Sequence, residues 1–132
     1  MTQPRLRVYE ALARLGGHRT ADEVADAVAS AGHHLSRASV YNALDALRDA
    51  RLTMVADTGP GATRHELARA WHHHFVCRTC GDVIDVPCRA DGREGPCLHL
   101  EVPGAVVDQA QVVLRGTCAR CLGRRARAAA AR

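Results

Sequence analysis

Six cysteines stand at positions 77, 80, 88, 97, 118 and 121, and four of them form two Cys-x-x-Cys pairs with 37 residues between them. A two-residue spacer lets each pair sit on a tight turn and offer two thiolates to one ion. Cys77, Cys80, Cys118 and Cys121 together would complete a tetrahedron, which closes the coordination sphere and suits a structural Zn²⁺. In a reducing cytosol such pairs favour metal over disulfide. Other sulfur chemistries fit less well. A thioredoxin-like redox pair needs no second Cys-x-x-Cys, and a zinc deaminase needs a His-x-Glu ahead of Pro-Cys-x-x-Cys. Cys88 and Cys97 remain, each after a proline. They can be read as a redox pair, as alternative ligands, or as small apolar side chains in a core.

Directly before the first pair the chain reads WHHHFVCRTCGD, residues 71–82. On a strand alternate side chains share a face, so His72 and His74 point together and His73 points away. The sulfur site already has four ligands, which leaves these histidines to a second site. Glu66 lies six residues before His72, Asp85 lies on the β-prone stretch DVIDV, and His18 lies ahead of a helix start. Three imidazoles and two carboxylates suit Fe²⁺, Mn²⁺ or Zn²⁺ rather than a thiolate-seeking ion. Taken singly, each is an ordinary surface residue. Taken together, they draw ligands from both halves of the chain, and a bound ion would act as a hinge lock.

The elements that must carry these groups can also be read. Thr2-Gln3-Pro4 can cap and open a helix on which Leu6, Tyr9, Leu12 and Leu15 recur at helical spacing, and Gly16-Gly17 ends it. Thr20 and Glu23 form a capping box for a second helix with a Val24, Ala27, Val28, Ala31 stripe, stopped by Gly32. Ser36 opens a third, SRASVYNALDALRDARL, whose Val40, Leu44 and Leu47 face one way while Arg37, Tyr41 and Arg48 face another. Two β-prone stretches around Thr58-Gly59-Pro60-Gly61 follow as a hairpin. Three helices and a hairpin make a winged helix-turn-helix. Its third helix would enter a DNA major groove with Ser36, Arg37, Ser39, Tyr41 and Asn42 nearest the bases. A small helical domain with an ordinary polar face is the competing reading.

At 132 residues the chain suits one domain or two small ones. No apolar run reaches the roughly 20 residues of a membrane span, and MTQPRLRVYE lacks the apolar segment of a secretory signal, so a cytoplasmic protein is expected. The net charge is +4, with 18 arginines and no lysine. Arginine suits phosphate recognition, but the choice of Arg over Lys in an Ala- and Gly-rich chain is credited mainly to genomic base composition.

In PRLRVYEAL, HRTADEV, LSRASVYNALDAL, the HHH-x-x-C-x-x-C-G block and the distal Cys-x-x-Cys, the chain resembles the ferric uptake regulator family of bacterial metal-dependent repressors. The likeness runs from about residue 3 to 121. It implies an α/β protein with a winged-helix DNA-binding domain over 1–69 and a small α/β dimerisation domain with structural zinc over 70–121; the Arg/Ala-rich tail over 122–132 lies beyond the likeness and is read as flexible, although its alanines could extend a helix. The likeness implies a homodimer on a double-stranded, palindromic operator. Structural zinc would fall on the four paired cysteines and the regulatory ion on His18, Glu66, His72, His74 and Asp85. Tyr41 matches the family's recognition-helix tyrosine, and Arg5 a basic residue that touches the DNA backbone.

There are also departures from the family pattern. Members often carry a further basic N-terminal helix, so fewer contacts from that end, or a start further upstream, are expected. Trp71 and Ala110 stand where a third metal site would have histidines. The segment VPC…GPCL, with Cys88 and Cys97, looks like the actinobacterial subgroup that controls catalase-peroxidase genes. Peroxide sensors of the family resemble this chain in having Asp at position 85. That shorter carboxylate leaves Fe²⁺ more open to peroxide, and a ligating histidine is oxidised. At position 66, however, those sensors often have Asp where this chain has Glu. The leading expectation is therefore a repressor of oxidative-defence genes released by peroxide, through His18 or His72 or through the Cys88 and Cys97 thiols. A metal-level sensor is the alternative. A metal-dependent enzyme is not expected, because no separate base or phosphate-binding loop accompanies the ligands.

Overall fold

The computed structural model describes residues 1–56, 58–69, 72–87, 102–107 and 110–132. It divides into two compact units, Met1–Arg69 and Ala70–Arg132.

The first unit begins with α1 (Gln3–Leu15). Thr2 has the extended backbone of a cap, but its side chain makes no capping bond, so Pro4 in the first turn sets the start. Gly16 and Gly17 follow, both at φ +61°, a conformation that other residues adopt at a cost. The chain then turns through β1 (Arg19–Thr20) into α2 (Ala21–Ser30). Here the capping box forms in full: the Glu23 backbone N–H donates to Thr20 Oγ1 at 3.2 Å, and Glu23 Oε2 accepts from the Thr20 N–H at 2.8 Å. In α3 (Arg37–Asp49), Ser36 is the cap, its hydroxyl accepting from the Ser39 N–H at 3.1 Å. Strands β2 (Thr53–Ala56) and β3 (Arg64–Leu67) are the expected hairpin. The two residues of β1 were not legible as a strand; they pair antiparallel with β3 to complete a three-stranded wing in the order β1-β3-β2.

The core of this unit is built from Val8, Ala11 and Leu12 of α1, Ala21, Val24 and Val28 at α2, and Val40, Ala43, Leu44 and Leu47 of α3. Two expectations are corrected. The buried face of α1 is Val8, Ala11 and the expected Leu12, while Leu6 is only half-buried and Tyr9 and Leu15 pack at the margin. Ala31 is exposed as the cap of α2. The small side chains at 8 and 11 allow close helix approach, which spacing alone does not rank above leucine.

The second unit is a sheet of β4 (His72–Cys77), β5 (Val83–Pro87) and β6 (Val113–Gly116), in the order β5-β4-β6. Strand β5 pairs antiparallel and β6 parallel with β4. Helix α4 (Ala119–Ala130) follows at once, with Cys118 at its N-cap. Of the two readings of the tail from residue 122, flexible or helical, the helical one holds to Ala130. Alanine and arginine are both strong helix formers, and Cys118 and Cys121 anchor the first turn. No helix among the described residues is long and apolar enough to cross a membrane. Cys88, Cys97 and Trp71 lie outside the described residues.

Candidate functional site

Cys77 closes β4, Cys80 stands in the turn after it, and Cys118 and Cys121 occupy the cap and first turn of α4. The four sulfurs lie within 4.8 Å of one another. Zn–S bonds of about 2.3 Å place tetrahedral sulfurs about 3.8 Å apart, and Cys80 Sγ to Cys118 Sγ is 3.8 Å. All four cysteines are free thiols, so the donor set fits zinc in both number and spacing. Cys77, Cys118 and Cys121 are buried while Cys80 is exposed.

The surroundings favour thiolate at Cys77 and oppose it at Cys121. The Cys118 backbone N–H donates to Cys77 Sγ at 3.3 Å, and this bond is the largest influence lowering the Cys77 thiol to about 6. Burial pushes Cys121 up to about 12, so an ion must displace its proton and binding should tighten as pH rises. Arg120 Nη2 lies 3.5 Å from Cys80 Sγ and pairs with Asp82, setting a cation against the exposed thiol. Around the cluster, Phe75 packs on the buried sulfurs. Gly116, opposite Cys77 in the ladder, keeps room for that ring, since a Cβ there would lie 3.2 Å from Phe75 Cε2. Arg120, Asp82, Phe75 and Gly116 carry no ligand signature, and sequence reasoning missed them.

The nitrogen and oxygen donors fall into two groups, one in each unit. In the first unit, His18 follows the glycine pair. Its loop is fixed by Arg19, whose Nε and Nη2 donate to the carbonyls of Gly16 and Leu15, and by Arg64, which donates to the His18 carbonyl. Glu66 comes from β3, opposite Met54. His18 Nε2 and Glu66 Oε2 are 3.4 Å apart, with side chains 7% and 1% exposed. His65, on the other side of β3, is buried, and that burial holds its imidazole below the usual histidine range.

In the second unit the alternation of β4 buries His72 and His74 and leaves His73 half-buried. Asp85 faces His74 across the β4–β5 ladder. Its Oδ1 is 3.7 Å from His72 Nε2 and 3.9 Å from His74 Nε2, and the two imidazole rings meet edge to face at 4.9 Å. Ligands bonded at about 2.1 Å in a tetrahedron stand about 3.4 Å apart, so the donor spacing within each group is that of neighbours around one ion.

On α3, Arg37, Tyr41 and Asn42 are exposed. Arg37 Nη2 reaches Asp22 Oδ1 of α2 at 3.2 Å. Ser36 and Ser39 are tied to each other, hydroxyl to hydroxyl at 2.9 Å, so the helix start already uses them. Arg5 is exposed on α1.

The family model described as "Ferric uptake regulator family" matches residues 1–90. The chain belongs to the ferric uptake regulator family. Transcriptional regulator FurA of Mycobacterium tuberculosis is 36% identical over 124 residues, 92% of this chain and 82% of that one. The peroxide operon regulator of Bacillus subtilis is 28% identical over 122 residues, 92% of this chain and 83% of that one. Among solved structures, the ferric uptake regulator of Pseudomonas aeruginosa with manganese superposes with a TM-score of 0.69 at 25% identity, covering 90% of each chain. The α/β class and the winged helix-turn-helix with a small cysteine-bearing sheet unit are thus those of ferric uptake regulators.

Proposed function

We propose that this ferric uptake regulator is a cytoplasmic, metal-dependent transcriptional repressor that binds a palindromic operator as a homodimer and is released by peroxide. The observation that carries the metal reading is the burial of Glu66 beside His18 and of His72 and His74 beside Asp85. Buried carboxylate and imidazole groups need a charge partner or an ion. Cys77, Cys80, Cys118 and Cys121 hold structural Zn²⁺. His18, Glu66, His72, His74 and Asp85 would hold regulatory Fe²⁺, Mn²⁺ or Zn²⁺. Fe²⁺ supplies redox chemistry toward peroxide that these side chains lack. The chain's own part is to hold the His18 and His72 imidazoles where they are oxidised and to let go of DNA afterwards. The similarity to a peroxide operon regulator supports this input. Glu66, longer than the aspartate often found there in peroxide sensors, supports the second reading, a sensor of metal level alone.

For the dimer, Ile84 and Leu114 flank Phe75 in register on one face of the sheet, and they remain 46% and 47% exposed. An apolar row across an open three-stranded sheet suits a second copy.

The test is to load the protein with Fe²⁺ without oxygen, add a small excess of peroxide and map mass changes by peptide. Oxygen added to the His18 or His72 peptide is the expected result. A Cys88–Cys97 disulfide with intact histidines would replace it with a thiol switch, and no change at either place would leave the metal-level sensor. The DNA reading makes a separate prediction. Arg37→Ala is expected to weaken binding to sequences enriched from a random duplex pool by about ten- to a hundredfold, the effect of losing one base-reading arginine. Tyr41→Ala should weaken it in the same direction, and both variants should keep the wild-type circular dichroism spectrum. Unchanged affinity in both would remove α3 from the interface.

A further inference from the structure

The chain's positive charge is concentrated in one place. Residues 118–132 contain five arginines and no acidic residue, whereas the remaining 117 residues carry 13 arginines against 14 carboxylates. Residues 1–69, which hold the winged helix, have nine arginines against eight carboxylates. The whole surplus of +4 therefore resides in and just beyond α4, not in the reading head.

Within α4, Arg120, Arg124 and Arg127 are spaced four and three apart and so lie along one face. Arg124, Arg125 and Arg127 are exposed. Arg120 is engaged by Asp82 and Cys80, and Arg125 reaches Thr79 Oγ1 at 3.5 Å. Among the described residues neither Arg124 nor Arg127 has an acidic partner. The helix's arginines at three- and four-residue spacing repel one another. A polyanion laid along the face would relieve that repulsion.

We infer that α4 is a second nucleic-acid contact: Arg124 and Arg127, on one face of the helix, bind DNA phosphates without reading sequence. The surface rests on the DNA-binding reading only for its biological setting; its charge does not depend on that reading.

The test uses the full, zinc-loaded chain and a double variant, Arg124→Gln with Arg127→Gln, which spares the cysteines and the arginines at 120 and 125 that contact Cys80, Asp82 and Thr79. Binding is titrated against a mixed-sequence 40-bp duplex and against duplexes enriched from a random pool by the wild type, from about 50 to 200 mM salt. Each lost phosphate contact lowers the salt slope by about 0.9, so the slope should fall by about 2. Affinity at low salt should fall by about fivefold or more on both duplexes, leaving the preference between them unchanged. An unchanged slope, with zinc content and helicity retained, would overturn the inference. So would a defect in self-association with no change in slope. Binding of the wild type, but not the variant, to phosphatidylglycerol vesicles alongside equal DNA slopes would assign α4 to a membrane surface and likewise overturn it. If the wild type enriches no sequence, the operator reading fails, while the slope on the mixed duplex still decides the role of α4.

Discussion

Replacing Cys118 with serine, or removing the ion with a strong chelator, is expected to unfold residues 70–132 while the three-helix core of residues 1–69 persists. The reason lies in what the second unit buries. Among its described residues the buried apolar cluster is Cys77, Cys118 and Cys121, with Phe75 packed against it. Strand β4 and helix α4 meet at the sulfurs, and Ile84 and Leu114 stay largely exposed. A sheet of three short strands has too little apolar contact to hold itself. Structural zinc in small domains supplies on the order of 10 kcal/mol of folding free energy, more than any single side chain here can. The check is limited proteolysis beside metal analysis. A protease-resistant fragment covering residues 70–132 that contains no zinc would overturn the assignment. Acidic pH should act in the same direction as the chelator, because protons compete for the thiolates, and for that of Cys121 above all, since burial raises its pKa to about 12.

Leu44→Ala is expected to destabilise the reading head by about 2 to 5 kcal/mol, the range for removing a buried leucine and leaving a cavity. Leu44 is 1% exposed on the inner face of α3, in a core made only of alanine, valine and leucine. Domains of this size are stable by roughly 3 to 10 kcal/mol, so the loss would remove much of what holds α3 in place. Thermal melts followed by circular dichroism should show the transition of the first unit moving down while bound zinc stays constant. Leu44→Met, which keeps the volume, should cost less than about 1.5 kcal/mol. A Leu44→Ala variant as stable as the wild type would mean that the three-helix core is packed differently.

The local signals were legible because local chemistry fixes them. The Thr20–Glu23 capping box, the Ser36 cap and the burial of His72 and His74 on either side of His73 follow from neighbours within four residues. So does the capacity of Cys77-x-x-Cys80 and Cys118-x-x-Cys121 to offer two sulfurs each. The turn around Gly59 likewise announced a hairpin. What distance in sequence hides was less accessible. Strand β1 has two residues and exists because Arg19 and Thr20 find His65 and Arg64, and no pattern of length two can announce that. The Arg/Ala-rich stretch gave no reason to choose between helix and coil; it is helical because the sulfur cluster pins its first turn.

By itself, then, the sequence determined the helix starts, the strand alternation that buries His72 and His74, and the donor types available to metals. Tertiary structure alone decided which distant groups are neighbours. It set β6 parallel to β4, so that Gly116 makes room for Phe75 against the sulfurs. It placed Arg120 and Asp82 beside Cys80, and it put Val8 and Ala11 beside Leu12 at the heart of α1, in place of Leu6 and Leu15. Capping and alternation act over a few bonds and are written in adjacent residues, whereas packing and pairing depend on which surfaces the folded chain brings within a few ångströms.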